Sequence, residues 1–423
     1  MERYSEYKPS SIQWLKELPG HWEEKRLVVI CEPKNITNCS DEQLLSVFLG
    51  KGVVLFNSEN TRRTNAITQN TDLTKYQLVE PGDFVLNNQQ AWRGSVGVSF
   101  LRGIVSPAYI VLRFKKSNNA KFLDYALQSR YMIGQFFIYS KGVGSIQKNI
   151  SWKELKSSLF LCPPLAEQEQ IVNFLESKTS KIDEVLSAKE AQIKLLQELK
   201  ESEIANVITH GLNPNVKMKS YDSLLTDSYP VHWEIKRNKS FLSLTGEKVG
   251  KRANDFALLS LTTKGVIVRD VESGKGKFPK DFDEYQVVKK DNLIFCLFDI
   301  DETPRTVGLV EIEGMITGAY TALKVNEEYA LPKYIYYYYL CVDNIKGLKP
   351  YYSGLRKTVR SDKFLQLYLP LPSLEEQMQI VDYIENKCNN IDVLIGELQA
   401  EIEYLKEYKQ SLIADCVTGQ IKV

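Results

Sequence analysis

Residues 163–176 read Pro-Pro-Leu-Ala-Glu-Gln-Glu-Gln-Ile-Val-Asn-Phe-Leu-Glu, and residues 372–385 read Pro-Ser-Leu-Glu-Glu-Gln-Met-Gln-Ile-Val-Asp-Tyr-Ile-Glu. The second stretch follows the first by a constant 209 residues, and the match runs on to Ile182 and Ile391. Each copy then enters a long charged segment ending in Ile204-Ala205-Asn206-Val207-Ile208-Thr209 or Ile413-Ala414-Asp415-Cys416-Val417-Thr418. A repeat of this length sets architecture before any short motif does. The chain is therefore expected to be two tandem units, each a globular lobe followed by a long helix.

The lobes repeat more faintly. Pro19-Gly20-His21-Trp22-Glu23 answers to Pro230-Val231-His232-Trp233-Glu234. Gly103-Ile104-Val105 answers to Gly314-Met315-Ile316, and Lys121-Phe122-Leu123 to Lys333-Tyr334-Ile335. Short β-rich runs bounded by Gly, Pro and Asp predict mostly strands, including 103–105, 109–114, 292–298 and 307–311. One helix per lobe is expected, after Lys121 and from Pro332, where a proline costs no hydrogen bond. The expected fold class is α+β: two mixed, mostly β lobes separated by two long helices in an antiparallel coiled coil, with a pseudo-twofold internal repeat. The expected boundaries are 1–162 for the first lobe, 163–212 for the first helical region, 213–369 for the second lobe and 370–423 for the second helical region.

The helices carry a heptad seam. Ile391, Ile395, Leu398, Ile402, Leu405 and Leu412 recur at alternating spacings of four and three, with Lys409 at the open position. Ile182, Leu186, Lys189, Ile193, Leu196 and Lys200 hold the same register, with lysines weakening the stripe. Val185, Leu199, Val393 and Leu394 lie beside the seams and call for a further partner.

The 423 residues carry a net charge of only +1, but the charge is segregated. Segment 51–156 carries a net +9 and 236–364 a net +5, whereas 165–209 carries −4 and 374–415 carries −7. Basic lobes suit a polyanion, and acidic helices suit a protein partner. Seven scattered cysteines without a Cys-x-x-Cys pair indicate neither a disulfide framework nor a zinc site. No apolar run approaches the ~20 residues of a membrane span. The polar opening Met1-Glu2-Arg3-Tyr4-Ser5 is unlike a signal peptide, so a cytoplasmic location is expected.

The Pro-x-His-Trp motif, the Pro-x-Leu-x-Glu-Gln-x-x-Ile signature, the long helix and their recurrence together resemble the specificity subunit of type I restriction–modification systems. The resemblance covers essentially the whole chain. It implies two target recognition domains, each reading one half of a bipartite site in double-stranded DNA. It also implies helices that set the gap and dock two adenine-N6 methyltransferase subunits, with restriction and translocase subunits joining that core. S-adenosylmethionine would belong to the methyltransferase, and no cofactor to this chain. In agreement, the sequence lacks an Asn/Asp-Pro-Pro-aromatic tetrapeptide; Asn213-Pro214-Asn215-Val216 has neither the second proline nor the aromatic. It also lacks a Gly-x-x-x-x-Gly-Lys-Ser/Thr loop, and only three histidines are present. A self-sufficient methyltransferase or nuclease is thereby disfavoured. The remaining rival is a coiled-coil scaffold with two heads that do not bind DNA.

Candidate DNA contacts sit in basic loops rich in amides and hydroxyls, because Arg matches guanine, Asn and Gln match adenine, and Lys and Ser hold phosphates. In the first lobe they are Arg62, Arg63 and Asn65; Gln89, Gln90 and Arg93; and Lys141, Ser145, Gln147 and Lys148. In the second they are Lys251 and Arg252; Lys275 and Lys277; and Arg356, Lys357 and Arg360. Any one of these residues could equally be a solvating surface charge. The segments 141–148 and 353–360, which precede the signature strand in each copy, are the favoured pair. Glu167, Gln168, Glu376 and Gln377 at the helix starts are candidates for partner binding or for simple capping. Trp22 and Trp233 read as core anchors rather than base-stacking groups, since both copies keep them.

Overall fold

The computed structural model describes residues 2–56, 72–115, 118–142, 148–269 and 282–423. They fall into two compact units, Met1–Lys189 with Gln399–Val423, and Glu190–Leu398. The division cuts through the middle of both long helices, Leu165–His210 and Leu374–Val417. Each unit thus consists of one lobe, half of one helix and half of the other.

The lobes share one topology. In the first, a four-stranded antiparallel sheet runs in the order Cys31–Pro33, Tyr109–Phe114, Phe84–Asn87, Val96–Val98. In the second, the order is Leu242–Leu244, Thr321–Val325, Leu293–Phe295, Val307–Leu309. Hairpins Leu45–Phe48/Gly52–Leu55 and Leu259–Thr262/Gly265–Val268 repeat as well. So do the pairs Gln77–Val79/Gly103–Val105 and Gln286–Val288/Gly314–Ile316. The signature strand returns to the start of each lobe, Leu159–Cys162 against Glu23–Arg26 and Tyr368–Leu371 against Glu234–Arg237.

The repeated Gly103 and Gly314 have a steric cause. A Cβ on Gly103 would lie 2.4 Å from the Gln43 carbonyl, and one on Gly314 would lie 2.6 Å from that of Ala257. Backbone passes too close for any side chain at either position.

Each lobe is closed by helix and by the ends of the two rods. In the first unit, Trp22, Phe84, Phe122 and Phe160 pack with Ile171, Val172 and Leu175 of one rod and Leu412, Cys416 and Val417 of the other. The second unit matches this with Trp233, Phe295 and Tyr334 against Ile380, Val381, Ile384, Val207 and Ile208. The tryptophans are core anchors, as their repetition predicts. One expectation needs correction: where the sequence predicts one helix after Lys121, the first lobe has two in succession, Ala120–Gln128 and Arg130–Tyr139. Ser129 breaks the run with extended backbone, ending one helix while its hydroxyl accepts from Met132 N–H to start the next. At the same place the second lobe has one helix, Pro332–Asn344, with proline in its first turn.

The seam is legible in the burial pattern. Ile182, Ile391, Ile402 and Leu412 are buried, and the other apolar seam positions are half-buried among exposed neighbours. The seam lysines are paired across to the opposite helix: Lys409 with Asp183 at 2.6 Å, Lys189 with Glu401, and Lys200 with Asp392 at 2.7 Å. In the first unit Asp183 meets Lys409 and Lys189 meets Glu401; in the second, Lys200 meets Asp392 and Glu203 meets Lys387. Within each unit, partner numbers fall as helix numbers rise, so the rods run antiparallel. Among the described residues, no helix is long and apolar enough to cross a membrane.

Candidate nucleic-acid interface

In each lobe, the strand at the centre of the sheet leaves through a connector to the edge strand, and the segment before the signature strand folds back on that connector. In the first lobe the connector is 88–95. Ile150 N–H donates to the Asn88 carbonyl at 2.9 Å, which ties the end of the 141–148 segment to it. A short turn, Ala91–Arg93, ends at Gly94, whose φ of 101° favours glycine. In the second lobe the connector is 296–306. Asp299 N–H donates to the Arg356 carbonyl at 2.9 Å, and Val359 N–H to the Leu297 carbonyl at 2.8 Å.

The first lobe brings Gln89, Gln90, Arg93, Lys141 and Lys148 onto this neighbourhood. Arg93 stacks on Trp92 with 4.5 Å from guanidinium carbon to ring centroid, and the Trp92 indole N–H donates to the Gln89 carbonyl. Lys148 sits 3.1 Å from the Phe137 centroid and 5.7 Å from that of Trp92. The two rings meet edge-on at 6.1 Å. Lys141 pairs with Glu154 at 3.1 Å; the Ser151 hydroxyl, then Lys141, holds that carboxyl below its ordinary range. Gln89 and Arg93 are exposed, Gln90 half-buried.

The second lobe builds the same place with opposite chemistry. Its connector carries Asp299, Asp301 and Glu302. Lys357 pairs with Asp301 at 3.1 Å and Glu302 at 3.6 Å, and Lys349 with Asp301 at 3.6 Å. Asp301 in turn sits below its usual carboxylate range, chiefly because Lys357 bonds it. Arg360 forms a two-pronged pair with Asp362, both arms at 3.1 Å. Arg356 is exposed. Lys251 and Arg252 belong to a separate short turn, Gly250–Asp255; Arg252 bonds Glu247 at 2.8 Å and lies over Phe256. Arg62, Arg63, Asn65, Ser145, Gln147, Lys275 and Lys277 lie outside the described residues.

The four residues at the helix starts are occupied within the chain. Gln168 is buried; it accepts from Asn119 N–H at 3.0 Å and donates to the Pro163 carbonyl at 3.0 Å. Gln377, also buried, accepts from Leu331 N–H at 2.8 Å and donates to the Pro372 and Tyr329 carbonyls. Glu167 bonds His21 at 2.8 Å and the Tyr4 hydroxyl; Glu376 bonds His232 at 2.9 Å and the Trp233 indole N–H at 3.1 Å. The two repeated motifs, His-Trp and Glu-Gln, thus recur together because one clasps the other.

Reading single residues missed Trp92 and Phe137 as an arrangement, and the acidic connector of the second lobe altogether. Gln-Gln-Ala-Trp-Arg held the first signal, a tryptophan between amides and a cation. The second needed the alignment of the connectors, which sequence divergence between the lobes had hidden.

The duplicated topology, the shared connector site and the clasped helix starts define a protein with two equivalent lobes that differ in the chemistry they display. The chain belongs to the family of the type I restriction modification DNA specificity domain, whose model matches it twice, over residues 19–195 and 230–404. It is 23% identical over 378 residues to the type I restriction enzyme MjaVIII specificity subunit of Methanocaldococcus jannaschii, with 83% of each chain covered. It is also 23% identical over 373 residues to the putative MjaX specificity subunit of the same organism, covering 83% of this chain and 81% of that one. Among solved structures, a chain from work on complex assembly and conformational transition of the type I R-M system superposes with a TM-score of 0.67 at 16% identity, covering 96% of this chain and 99% of that one. The HsdS subunit from Thermoanaerobacter tengcongensis superposes with a TM-score of 0.52 at 16% identity, over 97% and 100% of the two chains.

Proposed function

We propose that this chain is the sequence-reading subunit of a type I restriction–modification complex. It binds double-stranded DNA and leaves the chemistry to its partners. One observation carries the reading: two lobes of identical topology display different side chains at the same connector site. That is what two half-sites of unlike sequence require. A scaffold with two heads of one purpose would keep the connectors alike. The recognition lobes are assigned to 1–162 and 213–369 and the helical regions to 163–212 and 370–423, with the helices setting the gap between half-sites. Of the candidate contacts, Gln89, Gln90, Arg93, Lys148, Arg356 and Lys251 have the exposure or the placement to face a duplex. Arg62, Arg63, Asn65, Ser145, Gln147, Lys275 and Lys277 stay in the proposal on their chemistry alone.

The helices support a doubled partner. The first unit exposes Val185, Tyr404 and Tyr408, and the second exposes Leu394, Leu195 and Leu199. These are the same positions under the repeat, flanking the seam on one side of an antiparallel pair. Two equal apolar patches on acidic rods suit two copies of one protein, which we assign as the adenine-N6 methyltransferase subunits, with restriction subunits joining that core. Glu167, Gln168, Glu376 and Gln377 fasten the start of each rod to its lobe, the capping role of the two open to them. S-adenosylmethionine belongs to the methyltransferase.

The test is to co-express the chain with the methyltransferase encoded beside it and to map N6-methyladenine in the host genome. A single bipartite motif that appears only when both are present is the expected result. Methylation by this chain alone would overturn the division of labour, and a stable complex on a genome without new methylation would overturn the sequence-reading role.

A further inference from the structure

In the first lobe, Arg93 and Lys148 stand apart from Lys141, and from Lys357 and Arg360 of the second lobe. Lys141 is met by Glu154, Lys357 by Asp301 and Glu302, and Arg360 by Asp362. Among the described residues, Arg93 and Lys148 instead meet the faces of Trp92 and Phe137 and no carboxylate. An aromatic face holds a cation in place without cancelling its charge, because the attraction comes from the ring quadrupole and not from a counter-charge. The rings are themselves fixed: Trp92 by its indole N–H on the Gln89 carbonyl, Phe137 by the helix Arg130–Tyr139. Phe137 remains 48% exposed, so it is not filling the core. Among the described residues, the second lobe has no such arrangement, and its connector offers carboxylates at this place.

We propose that Trp92 and Phe137 form an aromatic bracket that pre-positions Arg93 and Lys148, uncompensated, as a phosphate clamp of the first lobe on the DNA backbone. Trp92 and Phe137 are positioning residues, and the two cations make the contacts. The clamp rests on the DNA-binding function proposed above. Its energetic logic is preorganisation: two long, flexible side chains are ordered before binding, which lowers the entropy lost on contact. Charge counts and ring contacts then make separable contributions, because each phosphate contact changes the salt dependence of binding by about 0.9 per charge whereas positioning does not.

The experiment uses the co-expressed complex with methyltransferase and a duplex bearing the mapped motif, with affinity measured across a salt series. Arg93→Ala and Lys148→Ala are each expected to weaken binding and to lower the slope of log affinity against log salt by about 0.9. Trp92→Leu, which keeps apolar bulk and both charges, is expected to weaken binding by about 2- to 5-fold per cation released, with little change in slope. Trp92→Phe, which keeps a ring face, is expected to recover most of that loss. Wild-type binding by Trp92→Leu, equal losses in Trp92→Leu and Trp92→Phe, or an unchanged slope in Arg93→Ala would each overturn the clamp. A melting curve on each variant separates misfolding from loss of contact. Failure of the unaltered complex to bind the duplex at all would instead strike the DNA-binding function itself.

Discussion

The first lobe holds two connector cations on aromatic rings where the second holds two against carboxylates, and inside the sheet the charged pair belongs to the first lobe instead. At the connector, Arg93 and Lys148 rest on rings, while Lys349 and Lys357 face Asp301 and Glu302. Beneath the sheet, the first lobe buries an ion pair, Lys34 with Asp83, and Glu80 adds a second carboxylate at 2.8 Å. The second lobe puts Thr245 and Asn292 at those positions and keeps the same backbone bonds with neutral groups. Asn292 accepts from Lys289 N–H where Asp83 accepts from Glu80 N–H, and Thr245 N–H donates to Ala322 where Lys34 N–H donates to Val111. A duplicated frame fixes backbone geometry in both copies and leaves the electrostatics of each free to drift.

The buried pair gives the largest expected difference between the lobes. Asp83→Ala removes the acceptor of Glu80 N–H and strips Lys34, only 4% exposed at its side chain, of its closest carboxylate. Breaking a buried pair from one side costs about 3–5 kcal/mol. Asn292→Ala removes a hydrogen bond with no charge behind it and should cost about 1 kcal/mol. Urea unfolding of both variants measures the gap. Equal losses would mean that Lys34 is well solvated after relaxation and that the lobes are energetically alike here.

The clasped helix starts should show the opposite, an equal response in both copies. Gln168→Ala takes the acceptor from the Asn119 N–H and the donor from the Pro163 carbonyl, Gln377→Ala does the same to the Leu331 N–H and the Pro372 and Tyr329 carbonyls, and each should cost about 1–3 kcal/mol. Methyltransferase binding, measured well below the melting temperature, should be retained in both. A variant that melts normally yet loses the methyltransferase would return these glutamines to the role of partner contacts.

The equal and unequal responses trace what the sequence could disclose. The repeat, the strand runs at 103–105 and 109–114, the heptad seam and the two core tryptophans were legible because each is a pattern over many residues set by backbone period or by duplication. The break at Ser129 was not, since an extended serine between two helical runs looks like one continuous helix in a residue count. The Glu-Gln motif was visible but its meaning was not: burial of Gln168 depends on Asn119, which lies on another element. The site was legible as basic, amide-rich segments, and Gln89, Gln90 and Arg93 were placed together by simple adjacency. That Lys148 joins them across a ring, and that Lys357 is silenced by Asp301, follow from contacts between segments over 50 residues apart, for which local sequence carries no signal.

The smallest expected effect lies in the rods, at one place where the repeat breaks. Lys200 with Asp392 and Lys409 with Asp183 are the same pair under the 209-residue shift, and exposed pairs of this kind contribute about 0.2–1 kcal/mol each. Lys189 has no such twin. Its equivalent is Leu398, a seam leucine, and its partner Glu401 has Gln192 for an equivalent. Lys189→Leu should therefore extend the apolar stripe of the first rod and release a largely exposed glutamate to water. The half-buried position gains part of the ~1.5–3 kcal/mol of a fully buried leucine and loses a weak ion pair. The net should be stabilisation of about 0.5–1 kcal/mol, read as a small rise in melting temperature with unaltered methylation. A fall in stability would show that the first rod depends on Lys189 for its register, and that the two helices, alike in sequence, are held by different means.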